Sequence, residues 1–341
     1  MAISTAEFAK RAAIFVAIAL VPVLVWYLFN VILMAVGAII LAALLQLGAE
    51  PFIRWLGMRR GWALIVSGLL VVAIIGGAGY LFGTQLAAEF QEVIQRASQA
   101  QKSLSAQLQS TEFGQTLLSH TQFGNVSISD VLTKVFSLST SFLEAVVVTV
   151  VTGLYLAAQP RLYREGLVEL FPPRWRANAV ETIDDVSSAL RLWLLAQLIQ
   201  MVVIGLLSTF AVWMIGLPSP LALGIIAGVT EFIPYLGPIL AAIPALLVAA
   251  TQGLDATLWT LAAYIIIHQT EGNLIVPLMQ RRMLFIPPAV ILLGIVAISF
   301  LFGPIAIVFA APIAVILFVL TKKLYLRDTL GEQTDIPGES K

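Results

Sequence analysis

Long stretches of this chain contain no Asp, Glu, Lys or Arg at all, among them residues 12–49, 192–230, 232–254 and 283–321. A helix rises 1.5 Å per residue, so about 20 apolar residues cross the ~30 Å hydrocarbon core of a bilayer. Runs of this length have no counterpart in a soluble domain, where about a quarter of residues are charged. Here 11% are charged and mean hydropathy is +0.96. The chain reads as an all-α integral membrane protein that crosses the bilayer repeatedly.

One carboxylate breaks this pattern. Glu231 stands alone between residues 192–230 and 232–254, within the stretch GVTEFIPYLGP (Gly228–Pro238). A charge at membrane depth costs at least ~2.5 kcal/mol on insertion scales. Pro234 and Pro238 lack backbone donors, and Gly228 and Gly237 permit unusual dihedrals. No helix runs cleanly through such a segment. Broken backbone at this depth is tolerated where it is buried in protein or lines a polar cavity. The stretch reads as the centre of a solute site.

Residues 12–49 would make one helix of ~57 Å, too long for a single crossing, and Asn30 is the expected hairpin point between helices 11–29 and 31–49. The run continues past Lys10-Arg11 without a small-residue cleavage site, so it reads as spanning helix and not as a signal peptide. Glu50-Pro51 is expected to end the second helix, and a third runs over 61–83. Residues 1–83 form an N-terminal three-helix region. Segment 84–135 is rich in Gln and Ser, with apolar residues at three- and four-residue spacing, and reads as an extracytoplasmic amphipathic helical segment. A fourth span near 136–158 and an amphipathic linker, broken at Phe171-Pro172-Pro173, fill 136–191.

Charge placement orients these spans. With the N-terminus in the cytoplasm, Lys10, Arg11, Arg54, Arg59, Arg60 and the arginines of 159–191 all fall inside. In the C-terminal half, reading 218–251 as one span would put Arg281 and Arg282 outside. Reading it as a re-entrant hairpin, followed by a crossing over 255–276, returns them to the cytoplasm. Residues 283–321 are likewise too long for one span and are split at Phe302-Gly303-Pro304. The expected architecture has about six full spans plus two re-entrant hairpins, 218–251 and 283–321, in a transport core of 192–326, with a polar cytoplasmic tail at 327–341. Gly228 precedes Gly237-Pro238-Ile239 by nine residues, as Gly294 precedes Gly303-Pro304-Ile305, which is consistent with an inverted repeat.

The candidate site residues follow from this plan. Glu231 suits a cation or a coupling proton, or a structural role at the bend. Pro234, Gly237, Pro238 and Gly303 belong to the hairpin tips. Thr257, Thr260, Tyr264, His268 and Glu271, spaced 3, 4, 4 and 3, share one helix face. Glu271-Gly272-Asn273 is expected to interrupt that helix, offering Glu271 and Asn273 as oxygen ligands or merely as a cap. Gln197, with Gln200 and Ser208, lies along one side of the fifth span, facing the cavity or joining helices. Gly224 and Gly228 form a small-residue packing pair.

The chain has no cysteine, and His120 and His268 are its only histidines, so no multi-histidine or thiolate metal site is expected. No hydrolase or nucleotide-binding motif is present. The chain is not expected to be an enzyme or to need a cofactor beyond a coupling proton or sodium ion. Its neutral net charge points to no nucleic-acid partner.

GLPSPLALG (Gly216–Gly224), EFIPYLGP (Glu231–Pro238), EGNLIVPLMQ (Glu271–Gln280), Pro287-Pro288 and LYLRDTLG (Leu324–Gly331) together resemble the autoinducer-2 exporter family of bacterial transporters. Pro304 departs from that pattern, where a small non-proline residue is expected. The resemblance implies a multi-pass protein of the bacterial inner membrane, homo-oligomeric and pentameric in expectation. It also implies export of small solutes, autoinducer-2 in some members and cation/proton antiport in others, by an elevator-like mechanism. Three functions follow as expectations: gradient-driven export of a small polar solute, sodium/proton antiport, and a membrane scaffold that transports nothing.

Overall fold

The computed structural model describes residues 15–16, 19–20, 23–74, 76–77, 80, 139–282, 286–303, 306–337 and 339. Segment 84–135, with its amphipathic pattern, lies outside the described residues. No strand occurs among those described. Three helical stretches are long and apolar enough to cross a membrane: Phe29–Leu56, Pro173–Ile215 and Ile307–Arg327. Ala145–Ala158 and Pro160–Glu169, bent by 95° between them, make a fourth if taken as one span.

Helix α1 is Phe29–Leu56. It corrects two expectations. Asn30 is no hairpin point, because helical bonds run from Leu28 N–H to Leu24 O and from Ile32 N–H to Leu28 O across it. One polar side chain on an exposed helix face leaves the backbone ladder intact, so it does not force a turn. Nor does Glu50-Pro51 end the helix. The stop comes at Gly57, whose φ of 64° lets the chain reverse while Met58 N–H caps Phe52 O. Helix α2 is Arg60–Ile74 and α3 is Ser139–Ala158. Close approach joins α3 to α1: a Cβ added at Gly153 would stand 2.9 Å from Leu41 Cδ2 and 3.1 Å from Ala38 O.

Helix α4, Pro160–Glu169, leads through a short 3₁₀ turn at Pro173–Trp175 into α5, Arg176–Ile215. Its 40 residues make a rod of ~60 Å, twice the hydrocarbon thickness, with its charged residues confined to the first half. Its buried positions include Ala179, Thr182, Asp185 and Ala189, with Val180, Ile183 and Val186 half-buried beside them. The rod ends at Gly216, φ 84°.

Beyond it lie two helical hairpins. The first joins α6, Pro220–Thr230, to α7, Gly237–Gln252, through a turn at 231–236. The second joins α10, Pro288–Phe302, to α11, Ile307–Leu320. Between them run α8, Leu254–Thr270, a wide turn at Glu271–Ile275, and α9, Val276–Arg282. The second hairpin is not a pair of equal half-helices. With its wide last turn the α11 arm runs 21 residues, Ile307–Arg327, long enough to cross by itself.

Helix α5 is shared by two cores. On one side Ile204 and Val212 meet Leu223, Ala227, Ala241, Ala245, Val248 and Tyr264 from α6, α7 and α8. On the other, Leu190, Trp193 and Leu194 meet Val36 and Ile40 of α1 and Val315 and Val319 of α11. Ile336 from the tail is buried in this second core. The tail is held there by Arg327, whose guanidinium donates to both Glu339 carboxylate oxygens at 2.8 Å. Lys322 Nζ adds a bond to Asp335 O at 3.0 Å.

Candidate functional site

The first hairpin reaches α5 through glycines. A Cβ at Gly228 would lie 2.7 Å from Met201 O, and one at Gly224 would lie 2.6 Å from Gly205 O. The small-residue pair is therefore a packing device, and it sets α6 against the face of α5 that carries Gln197 and Gln200. Past Thr230 the chain turns tightly. Glu231 N–H bonds Ala227 O, Phe232 N–H bonds Val229 O, Ile233 N–H bonds Thr230 O and Gly237 N–H bonds Ile233 O. The turn satisfies these donors itself, as backbone in an apolar layer must. Tyr235 takes φ 67° there, a left-handed conformation uncommon for a non-glycine residue. Gly237 is required by contact: its missing Cβ would stand 2.6 Å from Thr230 O.

This turn buries Glu231 completely. Gln197 Nε2 donates to the Glu231 backbone carbonyl at 2.7 Å. Gln200 Nε2 lies 3.4 Å from Glu231 Oε1 and 2.5 Å from Glu271 Oε1, so one amide bridges two carboxylates. Glu271 Oε2 in turn sits 2.9 Å from His268 Nδ1. Glu231 Oε2 and His268 Nε2 are buried without a hydrogen-bond partner.

The helix bearing His268 and Glu271 is not interrupted, contrary to the expectation for Glu271-Gly272-Asn273. It widens into a π turn over Glu271–Ile275, closed by Val276 N–H to Glu271 O, and then continues as α9. Pro277 has no N–H to offer the carbonyl four residues back, and the wider turn absorbs that defect. Within it Glu271 is buried while Gly272 and Asn273 are exposed.

A cavity of about 430 Å³ opens beside these groups. Gln197, Gln200, Pro234, Tyr235, Pro238, His268 and Glu271 line it, with Trp193, Met279, Pro288 and Ile291 among its apolar walls. That volume is in the range of small-molecule sites, and a mostly apolar wall with a few convergent polar groups is their usual composition.

Several candidates lie elsewhere. Asn273 turns away and bonds Gln269 O at 2.9 Å. Tyr264 is buried in the core of α5–α8, and Thr260 bonds its own helix at Ala256 O. Only the His268–Glu271 end of the polar face borders the cavity. Gly303 does not line it. The site expected between the two hairpin tips is instead framed by the first tip and the start of α10, where Tyr235 OH reaches Pro288 O at 3.4 Å. The second tip is occupied otherwise: Phe302 stacks on Phe29 at 3.2 Å between ring centroids and tilts against Trp26. The Gly-Pro match between the hairpins is also not conformational. Gly303 holds the positive φ of its turn, 87°, whereas in the first hairpin that role falls to Tyr235. Gln200, which links the two carboxylates, carries no distinguishing signal in sequence beyond its one-turn distance from Gln197.

The profile of the AI-2E family transporters matches residues 13–325. The chain belongs to this family. It is 34% identical over 166 residues to YrrI of Bacillus subtilis, covering 49% of this chain and 47% of that one. It is 26% identical over 199 residues to YueF of the same organism, covering 58% and 54% respectively. The chain thus spans about half the length of these two relatives. With the AI-2 transport protein TqsA of Escherichia coli it shares 22% identity over 311 residues, covering 87% of this chain and 86% of TqsA. The family is one of transporters, and among the described residues three helical stretches are long and apolar enough to cross a membrane.

Proposed function

We propose that the chain is a gradient-driven exporter of a small polar solute, which binds in the cavity between α5, the α6–α7 turn, the α8–α9 π turn and the start of α10. The observation that carries this reading is the wholly buried Glu231 carboxylate at a helix break, bridged through Gln200 to Glu271 beside that cavity. The absence of a nucleotide-binding motif in the sequence favours an ion gradient over ATP as the source of work. The name of TqsA makes autoinducer-2 the first solute to test. The Lys/Arg distribution supports cytoplasmic termini in a bacterial inner membrane.

In this mechanism the first hairpin is re-entrant, whereas the α11 arm of the second is long enough to cross. The first carries Glu231 and moves with α6–α8 against α1, α3 and α11, exposing the cavity alternately to either face. The separate cores on the two sides of α5 support such a division.

Proteoliposome flux of autoinducer-2 and a panel of small polar solutes, under imposed proton and sodium gradients, tests the reading. Gradient-dependent flux lost in Glu231→Gln is the expected result. Equal flux in the variant would remove Glu231 from the mechanism, and sodium-driven proton flux without organic solute would move the reading to antiport.

A further inference from the structure

Glu231, His268 and Glu271 each bring one donor atom to a common point, all within 4.8 Å of one another. They come from different elements: Glu231 from the turn after α6, His268 from the last turn of α8, and Glu271 from the π turn. Three features mark this as more than an acidic cluster. The set mixes an imidazole with two carboxylates. Glu231 is 0% exposed, yet its Oε2 has no hydrogen-bond partner. Glu271 Oε2 meets His268 Nδ1, and the other partnered oxygens are held by glutamines: Gln197 fixes the Glu231 carbonyl and Gln200 the Oε1 atom of each carboxylate. This is the outer support that ligating carboxylates usually have.

We infer that Glu231, His268 and Glu271 form a binding site for one divalent transition-metal ion of the Zn²⁺, Co²⁺ or Mn²⁺ class. A nitrogen donor argues against Ca²⁺ and Mg²⁺, which take oxygen ligands, and the lack of any thiolate argues against soft ions such as Cu⁺. Two carboxylates neutralise the charge of a divalent ion, so the loaded site is electrically neutral at membrane depth. Zn–N and Zn–O bonds of ~2.0–2.1 Å put neighbouring donors ~3.3 Å apart in a tetrahedron. The His268 Nδ1 to Glu271 Oε2 separation of 2.9 Å is already near that edge, and all three donors lie within 4.8 Å of one another. His268 and Glu271 border the cavity, so the ion has an entry path and its remaining coordination positions face solute or water.

The inference rests on the proposed solute site only for that access route. Binding is therefore measured on the purified full chain in detergent, where loss of flux and loss of binding are separate results. Chelator-stripped protein titrated with Co²⁺ is expected to show saturable visible absorption at one equivalent per chain. With Cu²⁺ as a probe, electron spin-echo modulation is expected to show one coupled imidazole nitrogen. His120→Gln, which changes the chain's other histidine, leaves both signals intact. His268→Gln removes the nitrogen signal and weakens Co²⁺ at least tenfold, whereas Glu271→Gln weakens Co²⁺ at least tenfold without changing the histidine. Gln200→Ala weakens it by about 10–100-fold, the usual effect of a lost supporting partner. Should a variant fail to fold, the wild-type nitrogen signal and stoichiometry still decide. No saturable Co²⁺ spectrum in the wild type, or binding unchanged in His268→Gln, overturns the inference.

Discussion

The two hairpins begin alike in sequence, with paired prolines, an apolar arm and a Gly-Pro tip, and they end in different employment. The α6–α7 tip folds under a buried carboxylate, uses a tyrosine in the left-handed region and presses against α5 through glycines. The α10–α11 tip turns on Gly303, stacks Phe302 on Phe29 and tilts it against Trp26. One tip buries a carboxylate, and the other anchors the hairpin to the N-terminal helix. Shared punctuation therefore sets where a chain reverses. The side chains at the reversal decide whether chemistry or packing happens there.

Substitution at each tip separates these roles. Glu231→Gln is expected to lower solute flux at least tenfold with little change in folded yield. Phe302→Leu, which keeps an apolar contact, should leave flux within about twofold. Equal flux losses in the two variants would show that both tips serve the solute. Stability should divide the arms in a similar way. Gly228→Ala drives a methyl into the backbone of Met201 and should cost about 1–3 kcal/mol, the usual range for overpacking. At Gly294 the nearest atom is the Ala314 methyl at 3.2 Å, so Gly294→Ala should cost less. Thermal unfolding midpoints in one detergent rank the pair, and the reverse order would place the tighter packing on the second hairpin.

Gly303 combines φ 87° with ψ 176°, a region essentially confined to glycine. Gly303→Ala should therefore cost about 1–3 kcal/mol through the backbone alone. Gly237→Ala should act through contact instead and disturb Glu231 as well. Measuring flux alongside the unfolding midpoint distinguishes them, since only the second should lose flux beyond its loss of folded protein.

The smallest effect is expected at the tail. The Arg327 guanidinium beside Glu339 holds that carboxyl below its usual range through their hydrogen bonds. A lowered carboxylate contributes stability that is fully present above its ordinary value and is lost as pH falls through the depressed one. The tail should accordingly loosen on acidification and stay docked at neutral pH. The native chain has no cysteine, so labelling of Ile336→Cys reads this, normalised at each pH to the rate of a free small thiol because only the thiolate reacts. A normalised rate that fell at low pH would reverse the assignment.

Membrane placement, the break at Glu231 and the glycine contacts of α6 were legible because each is a local conflict: a charge in an apolar run, or small residues one turn apart. The polar face of α8 was legible only in part. Its period put His268 and Glu271 together, but periodicity does not say that Asn273 turns outward once the helix widens at Glu271. Asn30 is no turn signal, because an exposed helix face accepts one polar side chain at a propensity cost below about 0.7 kcal/mol. The stacking of Phe302 on Phe29 and the bridging of two carboxylates by Gln200 join residues far apart in the chain, and no local pattern announces either.

Helix α5 carries one further consequence. Its charged half bears Glu181 and Asp185, whose carboxylates stand 2.8 and 3.9 Å from the buried Lys323 amine at the end of α11. Its apolar half bears Gln197 and Gln200, which grip Glu231 and Glu271. A continuous helix of this length behaves as a lever: any tilt that shifts its grip on the carboxylates must also load the ionic rivet at Lys323. Force applied at the polar end of the molecule thus has a rigid route to the buried carboxylates.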